Sequence, residues 1–317
     1  MKSVNLRKYI VSCTLPALLA LLPCSGVGCA GESGGAAPLN SPQPAASQAA
    51  KGESSKQAEA RRLYEEGLKG LNAPNPDFVK ISQCFIRAAE LGDADAQYRA
   101  GVCFALGQGV KQDEAKALRW YEKAAAQGQS DAQYELGNIC LEAKNYKEAV
   151  GWYEKAAHQG HKDAQITLAF RCERGQGTPQ DYRKALDWFL KAAEQDDAQA
   201  QYNVGVYYAE GRGTEQNFAE ALKWLHKSAD KNHTLALNYL AFCYEYGKGV
   251  EQSDAEAVKY IKKAAELGSD TAQYKLGLAY EKGIGVPKDY AQAIKWYQKA
   301  AQFGSAEAKQ RLQDLKR

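Results

Sequence analysis

One pattern recurs down most of this chain and leaves little choice of fold. Ala-Gln-Tyr opens a segment at Ala96, Ala132 and Ala200, returns at Ala272, and survives in looser form at Ala164-Gln165-Ile166 and Ala236-Leu237-Asn238. The spacings are 36, 32, 36, 36 and 36 residues. Self-similarity at a fixed period of this size marks a stacked array, in which each unit buries its apolar face on its neighbours, and not a single closed core.

The clearest copy runs from Thr271 to Gly304 and reads as two helices. Ala272, Gln273, Leu276, Gly277 and Tyr280 share one helical side, with Lys275, Ala279 and Lys282 on another. Ala293, Trp296, Tyr297, Ala300 and Ala301 repeat the arrangement, while Lys295, Gln298 and Lys299 stay polar. Between them Gly283, Gly285 and Pro287 forbid a continuous helix. Asp289 is placed to start the second helix and Gly304 to end it. The unit is a helical hairpin.

The other units keep the same punctuation. Gly-x-Gly recurs at Gly107-Gln-Gly109, Gly175-Gln-Gly177, Gly211-Arg-Gly213 and Gly247-Lys-Gly249, whereas the 32-residue unit has Glu142-Ala143-Lys144-Asn145 in its place. Tryptophan keeps step at Trp120, Trp152, Trp188, Trp224 and Trp296, with Tyr260 substituting once. Residues 58–92 form a degenerate first unit broken at Asn72-Ala73-Pro74-Asn75-Pro76, six regular units occupy 93–304, and a lone polar helix over 305–317 caps the end. The expected class is all-α, a solenoid of about seven hairpins plus a C-terminal capping helix.

Residues 1–30 read as a secretory signal: Lys2, Arg7 and Lys8 precede an apolar run from Tyr9 to Leu22, too short to span a membrane, and then small residues. Two processing sites compete. Gly28-Cys29-Ala30 suits cleavage after Ala30, while Gly26-Val27-Gly28-Cys29 resembles a bacterial lipobox without its leucine, making Cys29 the lipidation candidate; Cys24 is a further alternative. Residues 31–57 hold almost no large apolar side chain after Leu39 and are expected to be a disordered linker, a tether that suits an anchored protein. A formal charge of +3 without a basic stripe gives no reason to expect nucleic acid.

Ala-x-x-x-Leu-Gly, the Gly-x-Gly loop and Trp-x-x-Lys-Ala-Ala-x-x-Gly at this period resemble the Sel-one-like repeat (SLR), a relative of the tetratricopeptide repeat, over roughly residues 58–317. The resemblance implies a right-handed α/α superhelix whose first helices line a concave surface, serving as an adaptor for other proteins. Similar bacterial proteins are secreted or periplasmic, so the periplasm, the outer membrane through a lipid anchor, or the extracellular space is the expected location. The expected partner is a protein or peptide and the expected state a monomer.

Chemistry-bearing motifs are sparse. The Gly-x-Gly loops lack the strand and third glycine of a dinucleotide site and the Gly-Lys-Ser/Thr of a phosphate loop. Beyond the signal, Cys84, Cys103, Cys140, Cys172 and Cys243 are scattered substitutions; their number is odd, and only Cys84 and Cys103, on successive helices, are placed to bridge, with buried free thiols as the alternative. A metal site at His158 and His161 lacks further ligands, and no cofactor is expected. Relatives with paired cysteines suggest a second class, an envelope hydrolase acting on β-lactams or peptidoglycan. Ser228-Ala229-Asp230-Lys231 has the Ser-x-x-Lys spacing, yet the chain lacks Ser-Asp-Asn and Lys-Thr-Gly. A eukaryotic secretory adaptor glycosylated at Asn232-His233-Thr234 is a third reading.

Binding residues are sought where the repeat fails to repeat. Offsets three, seven and ten from each opening alanine lie on one helical stripe and change freely. The candidates on it are Arg99, Glu135, Arg171, Arg174, Asn203, Tyr207, Tyr239, Tyr246, Lys275 and Lys282. A basic rung beside an aromatic one is the composition of an interaction hot spot, although free variation equally marks plain solvent exposure.

Overall fold

The structure is a computed structural model that describes the backbone of residues 44–315 and the side chains of residues 55–315. The signal and the lipidation candidate Cys29 lie outside these residues. The described residues are all helix and connection, divided into two compact units with the boundary in the chain after His161.

The first unit holds three hairpins: α1 (Pro44–Leu71) with α2 (Phe78–Glu90), α3 (Ala94–Leu106) with α4 (Glu114–Ala126), and α5 (Ser130–Glu142) with α6 (Tyr146–His158). The second holds four hairpins and a last helix: α7 (Lys162–Arg174) with α8 (Tyr182–Glu194), α9 (Ala198–Glu210) with α10 (Phe218–Asp230), α11 (Thr234–Tyr246) with α12 (Asp254–Glu266), α13 (Asp270–Lys282) with α14 (Tyr290–Gln302), and α15 (Ala306–Asp314). Each unit is an α/α solenoid in which a helix packs on its sequence neighbours. One expectation needs correction: the tract from residue 31 to 57 is helical from Pro44 onward. Its lack of large apolar residues prevents it from building a core, but Ala45, Ala46, Gln48, Ala49 and Ala50 are good helix formers and proline is tolerated at a helix start. They continue the helix that carries the packed residues Leu63 and Tyr64.

The recurring residues build the stack. Tyr121, Tyr153 and Tyr297, each the residue after a tryptophan, are fully buried and lie on Gly101, Gly137 and Gly277 of their own hairpin's first helix. A methyl group there would sit 2.5–2.6 Å from the ring. Where the ring is Phe189 or the side chain Ile261, the facing residue is Ala169 or Ala241. The tryptophans themselves sit nearer the surface, with a lysine ammonium over the indole 3.9 Å away at Trp152 and 4.3 Å away at Trp120.

The glutamine of Ala-Gln-Tyr is a buried clamp. Gln97, Gln133, Gln201 and Gln273 each donate to a carbonyl at the end of the preceding helix, at Ala89, Ala125, Ala193 and Ala265. These carbonyls belong to the helix-end groups that lack intrahelical partners. The Gly-x-Gly loop seats one hairpin on the one before: Gly285 has φ +64° and a Cβ there would be 2.2 Å from the Asp254 carbonyl oxygen. Asp289 opens α14 as an N-cap, accepting from the Gln292 N–H at 3.0 Å.

Candidate functional site

The candidate residues do not share one environment. Offset seven is mostly core, with Ile139 and Arg171 half-buried: Tyr207 is 3% exposed, its ring edge-on to Phe189 at 5.4 Å and to Tyr182 at 6.4 Å. It is not a surface rung, because this offset points between helices. Burial, and then the Glu173 carboxylate beside it, push its hydroxyl well above the ordinary tyrosine value. Cys103, Cys243 and Ala279 share that offset and are buried too. Glu135, at offset three, is 5% exposed and accepts from Asn138 Nδ2 at 3.3 Å, so it too belongs to the interior.

The remaining candidates are reachable to different degrees. Arg99 is half-buried against the Tyr98 ring at 5.8 Å. Arg171 is half-buried and donates to Gln176 Oε1 at 2.5 Å, while the exposed Arg174 lies over Phe170 at 5.5 Å. Asn203 accepts from Gln199 Nε2 at 3.3 Å. Tyr239 is half-buried, its hydroxyl pushed up to about 12 by burial and then by Glu210. Cys84 and Cys103 are both buried free thiols, and burial raises each.

Lys275, Tyr246 and Lys282 do converge, on a groove of about 490 Å³ formed by α11, α12 and α13. Ala257, Val258, Ile261, Leu278 and Ala279 supply its apolar surface. Two exposed large apolar residues line it, Tyr246 at 57% and Ile284 at 42%. The Tyr246 ring is packed on Phe242 at 4.9 Å, and Phe242 meets Tyr239 at 5.8 Å, making an aromatic strip along α11. Lys275 Nζ lies 3.9 Å from Glu245 Oε2, a long and exposed ion pair linking α11 to α13. Gln252 fixes the loop by donating to the Glu245 carbonyl at 3.0 Å. Glu245 beside the Tyr246 hydroxyl raises that group. Lys282 has no ion-pair partner among the described residues.

The groove is lined where α13 differs from α11. The two offsets that hold Tyr239 and Cys243 in α11 hold Lys275 and the small Ala279 in α13. Sequence reasoning found the variable trio but missed Val258, Ile261 and Ile284, which come from a second helix and a loop. Ile284 had a signal: it stands where the other Gly-x-Gly loops carry Gln108, Gln176, Arg212 and Lys248.

No comparable case for chemistry emerges. Ser228 is fully buried, its Oγ donating to the Ala198 carbonyl at 2.6 Å, and Lys231 pairs with Asp196. His161 stacks on Tyr134 at 4.7 Å with Nε2 3.3 Å from Asp131. Among the described residues no group of three or more His, Cys, Asp or Glu side chains is arranged to hold a metal ion, and no helix is long and apolar enough to cross a membrane.

Comparison with known proteins agrees with the repeat pattern. The Sel1 repeat model matches residues 94–129, 130–161, 162–197, 198–233, 234–269 and 270–304. A protective antigen of uropathogenic Escherichia coli with an SLR fold is 30% identical, covering 82% of this chain and 57% of its own, at a TM-score of 0.75. A Sel1 repeat protein from Oxalobacter formigenes is 28% identical over 77% of this chain and 96% of its own, at 0.63. DAP3-binding cell death enhancer 1 of Rattus norvegicus is 32% identical over 73 residues, 23% of this chain and 14% of that protein. The chain thus spans a small part of that curated relative and little over half of the antigen.

Proposed function

Since the chain belongs to the Sel1 repeat family, whose members are generally protein-interaction scaffolds, we propose that it is a non-catalytic scaffold that binds a protein or peptide in the α11–α13 groove. One observation carries the reading: the residues that set the last repeat apart from its neighbours, Lys275, Ala279 and Lys282, all line that groove. Residues that merely vary on a solvated face have no reason to surround one apolar depression. Its volume falls within the few hundred to 1,000 Å³ usual for ligand sites.

The proposed location is the bacterial cell envelope. It is supported by the basic start, the short apolar run and Cys29. Mass spectrometry of the protein from membranes tests it: an acylated N-terminal Cys29 supports anchoring, and an intact Met1 on soluble protein would refute export.

Selection from a displayed random peptide library tests the binding reading. Peptides enriched on the wild-type chain are expected to be lost on an Ala279→Tyr variant, which fills the groove with the residue that α9 already carries at this offset as Tyr207. Equal enrichment on both proteins would refute the groove as the docking site.

A further inference from the structure

The chemistry of the groove also specifies its occupant, and this step rests on the reading that the groove is where a partner docks. The three helices that form the groove carry five lysines against six Asp and Glu, so no general basic field selects the ligand and the groove's own side chains decide. The lining itself is balanced, Lys275 and Lys282 against Glu245 and Asp254, so its preference turns on which of these are free to meet a ligand. Its two lysines stand seven residues apart on α13, two turns or about 10 Å along the axis. Lys282 has no described ion-pair partner, and Lys275 is held only by the long, exposed pair with Glu245, of a kind that contributes little. Between the lysines in sequence lie Leu278 and Ala279, which line the groove together with Val258 and Ile261.

A polyanion that offers charge alone has nothing to place on this apolar floor. A purely apolar segment leaves the lysines unused. We infer that the groove takes an acidic peptide segment in which one large apolar side chain is flanked by carboxylates. The apolar side chain enters the floor beside Tyr246 and Ile284, and the carboxylates meet Lys275 and Lys282. When Lys275 turns to the ligand, Glu245 keeps the neighbouring Tyr246 hydroxyl. Asp254, also lining the groove, begins α12, where the helix N-terminus offsets its charge.

The test uses the full chain and three labelled hexapeptides, read by fluorescence anisotropy at low salt: Asp-Glu-Leu-Trp-Glu-Asp, its Lys-Lys-Leu-Trp-Lys-Lys counterpart, and Asp-Glu-Gly-Gly-Glu-Asp. The first is expected to bind, and the other two at least about tenfold more weakly. Lys282→Glu is expected to weaken the acidic peptide by about tenfold and strengthen the lysine peptide. Ala279→Tyr and Tyr246→Ala should each reduce binding; Tyr246 is exposed, so its truncation leaves the melting curve in place and separates lost binding from any overpacking at the buried Ala279. Equal binding of the lysine peptide, lost on Ala279→Tyr, would overturn the acidic preference and leave the groove standing. Acidic binding unchanged by Ala279→Tyr would overturn the groove itself. Equal binding of the glycine peptide, or of phosphatidylglycerol vesicles, would show a response to charge alone and overturn the inference. So would failure of all three peptides to bind.

Discussion

Replacing the buried glutamine by leucine at two equivalent sites should have unequal effects. Gln97 and Gln273 are 5% and 3% exposed, and each donates to a helix-end carbonyl, Ala89 at 3.3 Å and Ala265 at 3.2 Å. Their acceptor sides differ. Gln97 Oε1 receives Gln127 Nε2 at 2.8 Å, whereas Gln273 Oε1 is buried without a partner, because the residue in the place of Gln127 is Phe303. The change to leucine removes the same donated bond and adds the same apolar burial at both sites, so these contributions cancel in the comparison. What remains is a lost bond of about 1 kcal/mol at Gln97 against relief of an orphaned acceptor of about 1 to 3 kcal/mol at Gln273. The difference is therefore about 2 to 4 kcal/mol in favour of Gln273→Leu. α11 has already made the exchange, with Leu237 fully buried at this position. Urea unfolding of both variants, followed by circular dichroism, measures the difference. A Gln273→Leu variant as destabilised as Gln97→Leu would refute the claim that pairing on the acceptor side decides the outcome.

Three further outcomes follow from local geometry. Gly283→Ala meets nothing closer than 3.4 Å and bears only its φ of +75°, an expected loss of about 1 to 2 kcal/mol, while Gly285→Ala also drives its methyl into the Asp254 carbonyl and should lose about 2 kcal/mol more; equal melting temperatures would contradict this. Asp131 is held below the usual carboxylate range: burial alone would raise it, but hydrogen bonds from His161 and Gln129 win. A depressed folded value means stability present above the unfolded value near 4 and lost as pH falls through the folded one, so Asp131→Asn should flatten the acid side of the melting-temperature profile; an unchanged acid slope would count against it. Ser228→Ala should leave any trace of nitrocefin turnover unchanged, because its Oγ is buried on the Ala198 carbonyl; loss of turnover would give the serine a catalytic role.

Much of the scaffold is legible in the sequence because its restraints are local. Asp289 and Gly283 announce helix ends by the conformations and hydrogen bonds they favour, and period alone separates the first helix from the second. The roles of Tyr297 and Gln273 are harder to read, since each depends on a residue in another helix, Gly277 or Ala265. The stripe misled at offset seven for a related reason. Cys103, Ile139, Arg171, Tyr207, Cys243 and Ala279 vary there because a seam between helices can be filled by different side chains if neighbours adjust, so variation did not mean exposure. The groove was legible only in part, through Lys275, Ala279 and Lys282. Ala279 shares its lining with Val258, Ile261 and Ile284, which a face-by-face reading of one helix does not bring together.

Hydrogen–deuterium exchange of the full chain, with and without a peptide that it binds, tests the central claim most directly. Protection is expected to rise in α11, α12 and α13 around residues 242–246, 254–261 and 275–284, with the hairpins of the first unit unchanged. Protection confined to the first unit, or to α7 and α8 around Arg171 and Arg174, would contradict the assignment of the groove as the binding site.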